Sequence, residues 1–193
     1  IANDDFAILR ALPNMTIIAP CDSNEMKKIM ECSLTWPHPI YIRLGKGGDE
    51  VITNSKTEYK IGKALLLKKP EMGLFISTGV MSQLTLNACE ILEDEGLSCG
   101  VMHMHTIKPL DEQMLDLWSK KCRCIVTAED HSIIGGLGSA IAEHNSRTNL
   151  VPMEMIGVKD RFGESGDSEE LFKIMSMTTE DIVKAARKSI SRK

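Results

Sequence analysis

The side chains best equipped for chemistry sit in loops that follow strand-like runs. Arg43 lies at the end of the apolar run Pro39–Leu44, and Gly45-Lys46-Gly47-Gly48 comes next. A guanidinium in that position can grip a phosphate with two bonds, and Lys46 and the loop amides would add to the grip. The competing reading of Arg43 is a surface salt bridge. A second loop, Glu129-Asp130-His131-Ser132-Ile133-Ile134-Gly135-Gly136-Leu137-Gly138-Ser139, leads from a strand into a helix. Its glycines would offer unpaired amides to an anion, and its carboxylates and imidazole could do acid–base work. The dinucleotide fingerprint fits it badly, because the third small position counted from Gly136 falls on Ile141. Close helix–strand packing and contact with another chain or domain are the other readings. Thr78-Gly79, after the run Met72–Ser77, is either another anion site or an ordinary helix entry.

Metal and nucleophile chemistry find less support. His103 and His105 alternate, as do Cys122 and Cys124, so each pair would share a face of a strand. Two such pairs on neighbouring strands could bind zinc, but zinc ligands usually come in twos from a tight turn rather than a flat strand. Gly163-Glu164-Ser165-Gly166 misses the Gly-x-Ser-x-Gly spacing of a hydrolase elbow. No catalytic, cofactor-binding or metal-binding residue is therefore assigned, and Arg43 stands as the one candidate binding residue.

The elements that must position these loops alternate regularly. Strand-like runs at Met72–Ser77, Leu97–His105, Arg123–Ala128 and Val151–Val158 are separated by helical stretches at Gly79–Glu95, Leu110–Lys121 and Gly136–Asn145. Tyr59–Leu67 reads as one more strand, and Ser168–Met175 and Thr179–Ile190 as closing helices. Short connections between strand, helix and strand require parallel pairing. The expectation is an α/β fold, a mostly parallel sheet with helices on both faces. Residues 1–44 repeat the grammar only as helix–strand–helix–strand, with a strand at Met15–Ala19 and a helix from Asp22 or Ser23 to about Leu34. They read as the tail end of a second α/β domain, with a break at Ile1. The breaker cluster from Gly45 and the polar stretch to Glu58 make 45–58 a linker, leaving 59–193 as the main domain.

Composition narrows the function classes. With 23 Lys+Arg against 27 Asp+Glu and 4% aromatics, the chain lacks both a basic surface and a stacking platform for nucleic acid. No apolar run reaches the roughly 18–20 residues of a membrane helix. Six cysteines scattered among regular elements read as reduced and mostly buried, which places the chain in the cytoplasm.

Several segments together carry a resemblance. Asp4-Asp5-Phe6-Ala7-Ile8-Leu9-Arg10-Ala11-Leu12-Pro13-Asn14-Met15 is followed by Ile18-Ala19-Pro20-Cys21-Asp22-Ser23-Asn24-Glu25-Met26 and by Tyr41-Ile42-Arg43-Leu44-Gly45-Lys46-Gly47. The Glu129–Gly138 segment and Ile156-Gly157-Val158-Lys159-Asp160-Arg161-Phe162-Gly163-Glu164-Ser165-Gly166 complete the set. In this order the chain resembles the C-terminal part of a transketolase, in particular the type split into two subunits. The resemblance implies a thiamine-diphosphate- and magnesium-dependent enzyme of the pentose phosphate pathway that moves two-carbon ketol units between sugar phosphates. It implies that 1–44 is the end of the pyrimidine-binding domain and 59–193 the transketolase C-terminal domain, in a homodimer completed by the diphosphate- and pyrimidine-binding domains.

Arg43 matches the family arginine that binds the sugar phosphate. The family's activating glutamate, its stacking aromatic residue, a Gly-Pro-Thr-His stretch and the metal motif all match positions ahead of Asp4, which itself stands where glutamate is usual. The chain alone is thus expected to bind no cofactor, to be inactive, and to serve dimer formation and assembly. Alternatives are the beta subunit of a 2-oxoacid dehydrogenase, deoxyxylulose-phosphate synthase, or a non-catalytic dimerisation or regulatory module. A nucleotide-binding flavodoxin-like module ranks last.

Overall fold

The structure, a computed structural model, describes residues 3–54 and 56–192; the expected break at Ile1 lies outside them. The chain opens with α1 (Asp5–Arg10), β1 (Thr16–Ile18), α2 (Ser23–Ser33) and β2 (Ile40–Ile42). It continues through β3 (Leu65–Lys68), β4 (Gly73–Ser77), α3 (Met81–Asp94), β5 (Cys99–His103) and β6 (Thr106–Lys108). Then come α4 (Glu112–Ser119), β7 (Cys124–Ser132), α5 (Leu137–Thr148), β8 (Met153–Val158), α6 (Ser168–Ile174) and α7 (Thr179–Ile190).

Five strands form the main sheet in the order β3-β5-β4-β7-β8. β5, β4, β7 and β8 run parallel, as the crossover helices between them require, and only β3 is antiparallel, at one edge. Alternate residues of the strands feed two cores. Phe75, Val101 and Val126 pack with Ala88 and Leu92 of α3 and Ile182 and Ala186 of α7. Leu74, Ile76, Met102 and Ile125 pack on the other face with Leu115 of α4 and Leu137 and Ile141 of α5. The same second core holds Phe6, Ile17 and Ala19, so the N-terminal elements sit on this face of the sheet. The fold class is the α/β sheet with helices on both faces.

The second sheet, β2-β1-β6, differs from the expectation. β1 pairs parallel with β2, but its other neighbour is β6, antiparallel, contributed from beyond residues 45–58. Other boundaries move as well. Residues 59–64 are not a strand; Gly62 takes a positive φ in a turn, and the Ala64 amide donates to Asp111 Oδ2 at 3.0 Å. β7 runs on to Ser132, because Ser132 still pairs with Val158 across a register shift, so the first residues of the Glu129–Ser139 loop are strand.

Two helices turn polar residues inward in place of apolar ones. α3 buries Met81, Ser82, Thr85, Ala88, Cys89 and Leu92 while Ile91 is exposed, and α2 buries Glu25 and Ile29 while Met30 is exposed. In each case a hydrogen-bonded polar residue takes the inward place. Thr178 caps α7 in a reciprocal box with Asp181. The six cysteines are thiols, all buried but Cys32.

Candidate functional site

A cleft of about 600 Å³ opens at the carboxyl ends of the parallel strands, where open α/β sheets bind ligands. Val80, Asp130 and Val158 mark the ends of the strand–helix units, and Arg43 with the Leu44–Asp49 loop forms the facing wall. Phe172, Met175 and Met177 make an apolar floor, with Gly163, Glu164 and Asp167 at the rim. Arg43 is thus where a binding residue would be expected, at the end of β2, with its amide donating to Ile18 O at 2.8 Å.

Its guanidinium is nevertheless engaged within the protein. Nη1 donates to Asp5 Oδ1 at 2.9 Å, and Nη2 donates to Asp130 O at 2.5 Å and Asp130 Oδ2 at 3.1 Å. Cζ lies 5.0 Å from the centre of the Phe6 ring. Asp5 also accepts from Tyr41 Oη at 2.6 Å, which pushes the phenol up to about 12, with burial adding to the shift. Arg43 is neither a solvated surface salt bridge nor a free anion grip. It is a buried clamp joining α1, β2 and the end of β7. The cleft lining as a whole carries Arg43 and Lys46 against Asp49, Asp130, Glu164, Asp167 and Glu169.

The Glu129–Ser139 segment follows its packing reading. The amides of Leu137 and Gly138, the anion slot of α5, donate to Glu129 Oε2 at 2.6 Å and Oε1 at 2.8 Å. A Cβ on Gly136 would collide with that carboxylate, and one on Gly138 would stand 2.8 Å from Thr127 Oγ1 and 2.9 Å from Met155 Sδ. Burial pushes Glu129 up to about 8 against the pull of the two amides.

His131 Nδ1 donates to Ser132 O at 2.7 Å and its Nε2 accepts from the Phe6 amide at 3.1 Å. Burial lowers its pKa, and its ring stacks on Phe6 at 4.6 Å, so it serves as a neutral joint rather than a proton carrier. The Thr78 and Gly79 amides donate to Ala128 O and Ala19 O. The Leu137, Gly138, Thr78 and Gly79 amides, which a diphosphate would use at either place, are thus already engaged within the protein.

The two residue pairs considered for zinc do not meet. His103 ends β5 level with Ser77, whereas Cys124 begins β7 level with Gly73, with β4 between them. His103 instead lies against two residues that sequence reasoning passed over: Cys21, Glu25 and His103 offer ligand atoms within 4.8 Å of one another, all buried. A signal for Glu25 was present in Asp22-x-x-Glu25, a helix-start pattern in which Asp22 Oδ1 accepts from the Glu25 amide at 2.9 Å.

Comparison with known proteins accords with this architecture. The family model for the transketolase C-terminal domain matches residues 62–182. The 6-deoxy-6-sulfo-D-fructose transketolase subunit of Clostridium sp. (strain MSTE9) is 36% identical over 190 residues, which is 98% of this chain and 59% of that protein. The 1-deoxy-D-xylulose-5-phosphate synthase of Caldanaerobacter subterraneus subsp. tengcongensis is 35% identical over 181 residues, 92% of this chain and 29% of that enzyme. A solved structure described as a split gene transketolase, inactive beta4 tetramer, superposes with a TM-score of 0.95 at 34% identity, covering 98% of this chain and 62% of that one. The chain belongs to the transketolase family and corresponds to its C-terminal portion. It spans under two thirds of the length of these relatives. Among the described residues, no helix is long and apolar enough to cross a membrane.

Proposed function

We propose that the chain is the C-terminal part of a split-type transketolase that transfers two-carbon ketol units between sugar phosphates. The observation that carries the reading is the match in fold, over nearly the whole chain, to a split gene transketolase. On this reading residues 1–44 end the pyrimidine-binding domain, 45–58 link, and 59–193 form the C-terminal domain. The rest of the enzyme supplies the groups that hold and activate thiamine diphosphate and magnesium, and the chain alone is inactive, contributing to a homodimer in the cytoplasm. The filled amide slots at Leu137–Gly138 and Thr78–Gly79 agree with that division of labour.

Arg43 is the proposed contact for the sugar phosphate at the cleft mouth, aided by Lys46 and the Gly45–Gly48 amides. To reach a phosphate Nη2 would exchange the Asp130 carbonyl and carboxylate oxygens for the ligand. The test is to combine the chain with the complementary transketolase subunit and assay donors in parallel. Ketol transfer from xylulose 5-phosphate, dependent on both chains, is the expected result. Turnover of pyruvate instead would move the assignment to the synthase or 2-oxoacid dehydrogenase class. A stable dimer with no turnover of either donor would leave a non-catalytic module.

A further inference from the structure

We propose that Cys21, Glu25 and His103 form a site for a divalent transition-metal ion of the zinc type, with His105 next to it. The site lies where the carboxyl ends of β1 and β5 meet the start of α2. Its donors are a thiol, a carboxylate and an imidazole within 4.8 Å of one another, all buried. Sulfur and nitrogen donors select zinc-like ions over magnesium or calcium.

Three features point to a ligand rather than to a closed ion pair. Glu25 uses Oε2 to accept from the Cys21 amide at 2.7 Å and to meet His103 Nε2 at 2.8 Å, but its Oε1 is buried with no hydrogen-bond partner. His105 Nε2 is likewise buried without a partner, in a ring whose centre is 5.8 Å from that of His103. Both imidazoles are oriented from behind: Ser82 Oγ lies 2.7 Å from His103 Nδ1, and Thr106 Oγ1 lies 2.8 Å from His105 Nδ1. For His103, Nδ1 held by an outer group with Nε2 facing Glu25 is the usual support of a metal-binding histidine.

The charges balance. A Cys21 thiolate and the Glu25 carboxylate supply two negative charges against one divalent cation, with the His103 imidazole neutral, so the loaded site is neutral in its buried setting. Loading displaces the thiol proton, together with any proton shared between Glu25 and His103, to solvent. Zinc–nitrogen and zinc–oxygen bonds of about 2.0–2.1 Å require the Glu25–His103 contact to open by roughly half an ångström.

The experiment is cobalt substitution in the intact protein after chelator treatment. One equivalent of Co²⁺ should bind, with visible d–d absorption and a thiolate charge-transfer band, and Zn²⁺ should displace it. Cys21→Ser should abolish the charge-transfer band, whereas Cys122→Ser, at the opposite end of the sheet, should keep it. Cobalt at an oxygen-ligated magnesium site elsewhere in a complete enzyme would give no such band. X-ray absorption on the zinc-loaded wild type should show one sulfur at about 2.3 Å among nitrogen and oxygen neighbours, and it decides the matter if the serine variant does not fold. Absence of stoichiometric uptake, a band that survives in Cys21→Ser, or any sulfur count other than one would overturn the proposal.

Discussion

Replacing Arg43 by methionine keeps most of the side chain's length and removes its charge, which isolates what the clamp does for the fold. In the native protein one guanidinium stands between two carboxylates, with side-chain exposures of 7% for Arg43, 11% for Asp5 and 18% for Asp130. After the substitution Asp5 keeps the Tyr41 hydroxyl, but both carboxylates lose their counter-charge in a poorly solvated place. Breaking such a buried pair from one side costs about 3–5 kcal/mol. Residual access to water at Asp130 favours the lower end, about 3 kcal/mol. For a chain of this size that lowers Tm by roughly 6–12 °C. Urea and thermal unfolding of Arg43→Met against wild type measure it. The pair Arg43→Met with Asp130→Asn should recover about 1–2 kcal/mol of the loss, since it removes one of the stranded charges. A loss under about 1 kcal/mol for the single variant would refute the clamp and leave Arg43 a free anion-binding residue.

Asp22 anchors both α2 and the Ile52–Thr53 segment. Its Oδ1 accepts from the Glu25 amide and Thr53 Oγ1, each at 2.9 Å, and its Oδ2 accepts from the Ile52 and Thr53 amides at 2.9 and 2.6 Å. Asp22→Ala should cost about 3 kcal/mol, a lost cap plus stranded donors, and should make residues 45–58 the first site of limited proteolysis. His105 carries a pH signature. Burial lowers its pKa to about 4 although the Glu25 charge pulls the other way. Between pH 6.5 and 4 the unfolded chain therefore binds the proton that the native one refuses. The stabilisation from a neutral His105 is complete above about pH 6.5 and is lost as pH falls towards 4, reaching roughly 3 kcal/mol. With chelator present, the stability difference between wild type and His105→Gln should shrink by that amount over this range, and a flat difference would contradict it.

The main sheet was legible because each unit of β4-α3-β5 and β7-α5-β8 is written in consecutive residues, with the apolar run, the breaker and the helical stripe in order. What escaped has no local signal. β6 is three residues long, and its partner Ile17 is distant in sequence from Lys108. The inward places of Glu25 and Ser82 follow from a shared contact with His103, which apolar spacing cannot register. Arg43 stands out in the sequence by its position before the glycines. Its partners lie 38 and 87 positions away, so its engagement with Asp5 and Asp130 is a property of the packed molecule. The Glu129 carboxylate shows the same limit: a glycine-rich helix start announces an anion slot, but not that the chain fills the slot with its own side chain.

β6 has a consequence for modularity. Because Thr106–Lys108 completes the β2-β1-β6 sheet, and Phe6 and Ile17 share a core with Leu74 and Met102, the first forty residues are stitched to the main sheet domain by pairing as well as by packing. A graft that begins at residue 62, where the family match begins, would leave one edge of β6 unpaired and open that core to water. The unit that can be exchanged between proteins is therefore the whole stretch from α1 to α7, and a nick in the 45–58 segment should yield two pieces that stay together.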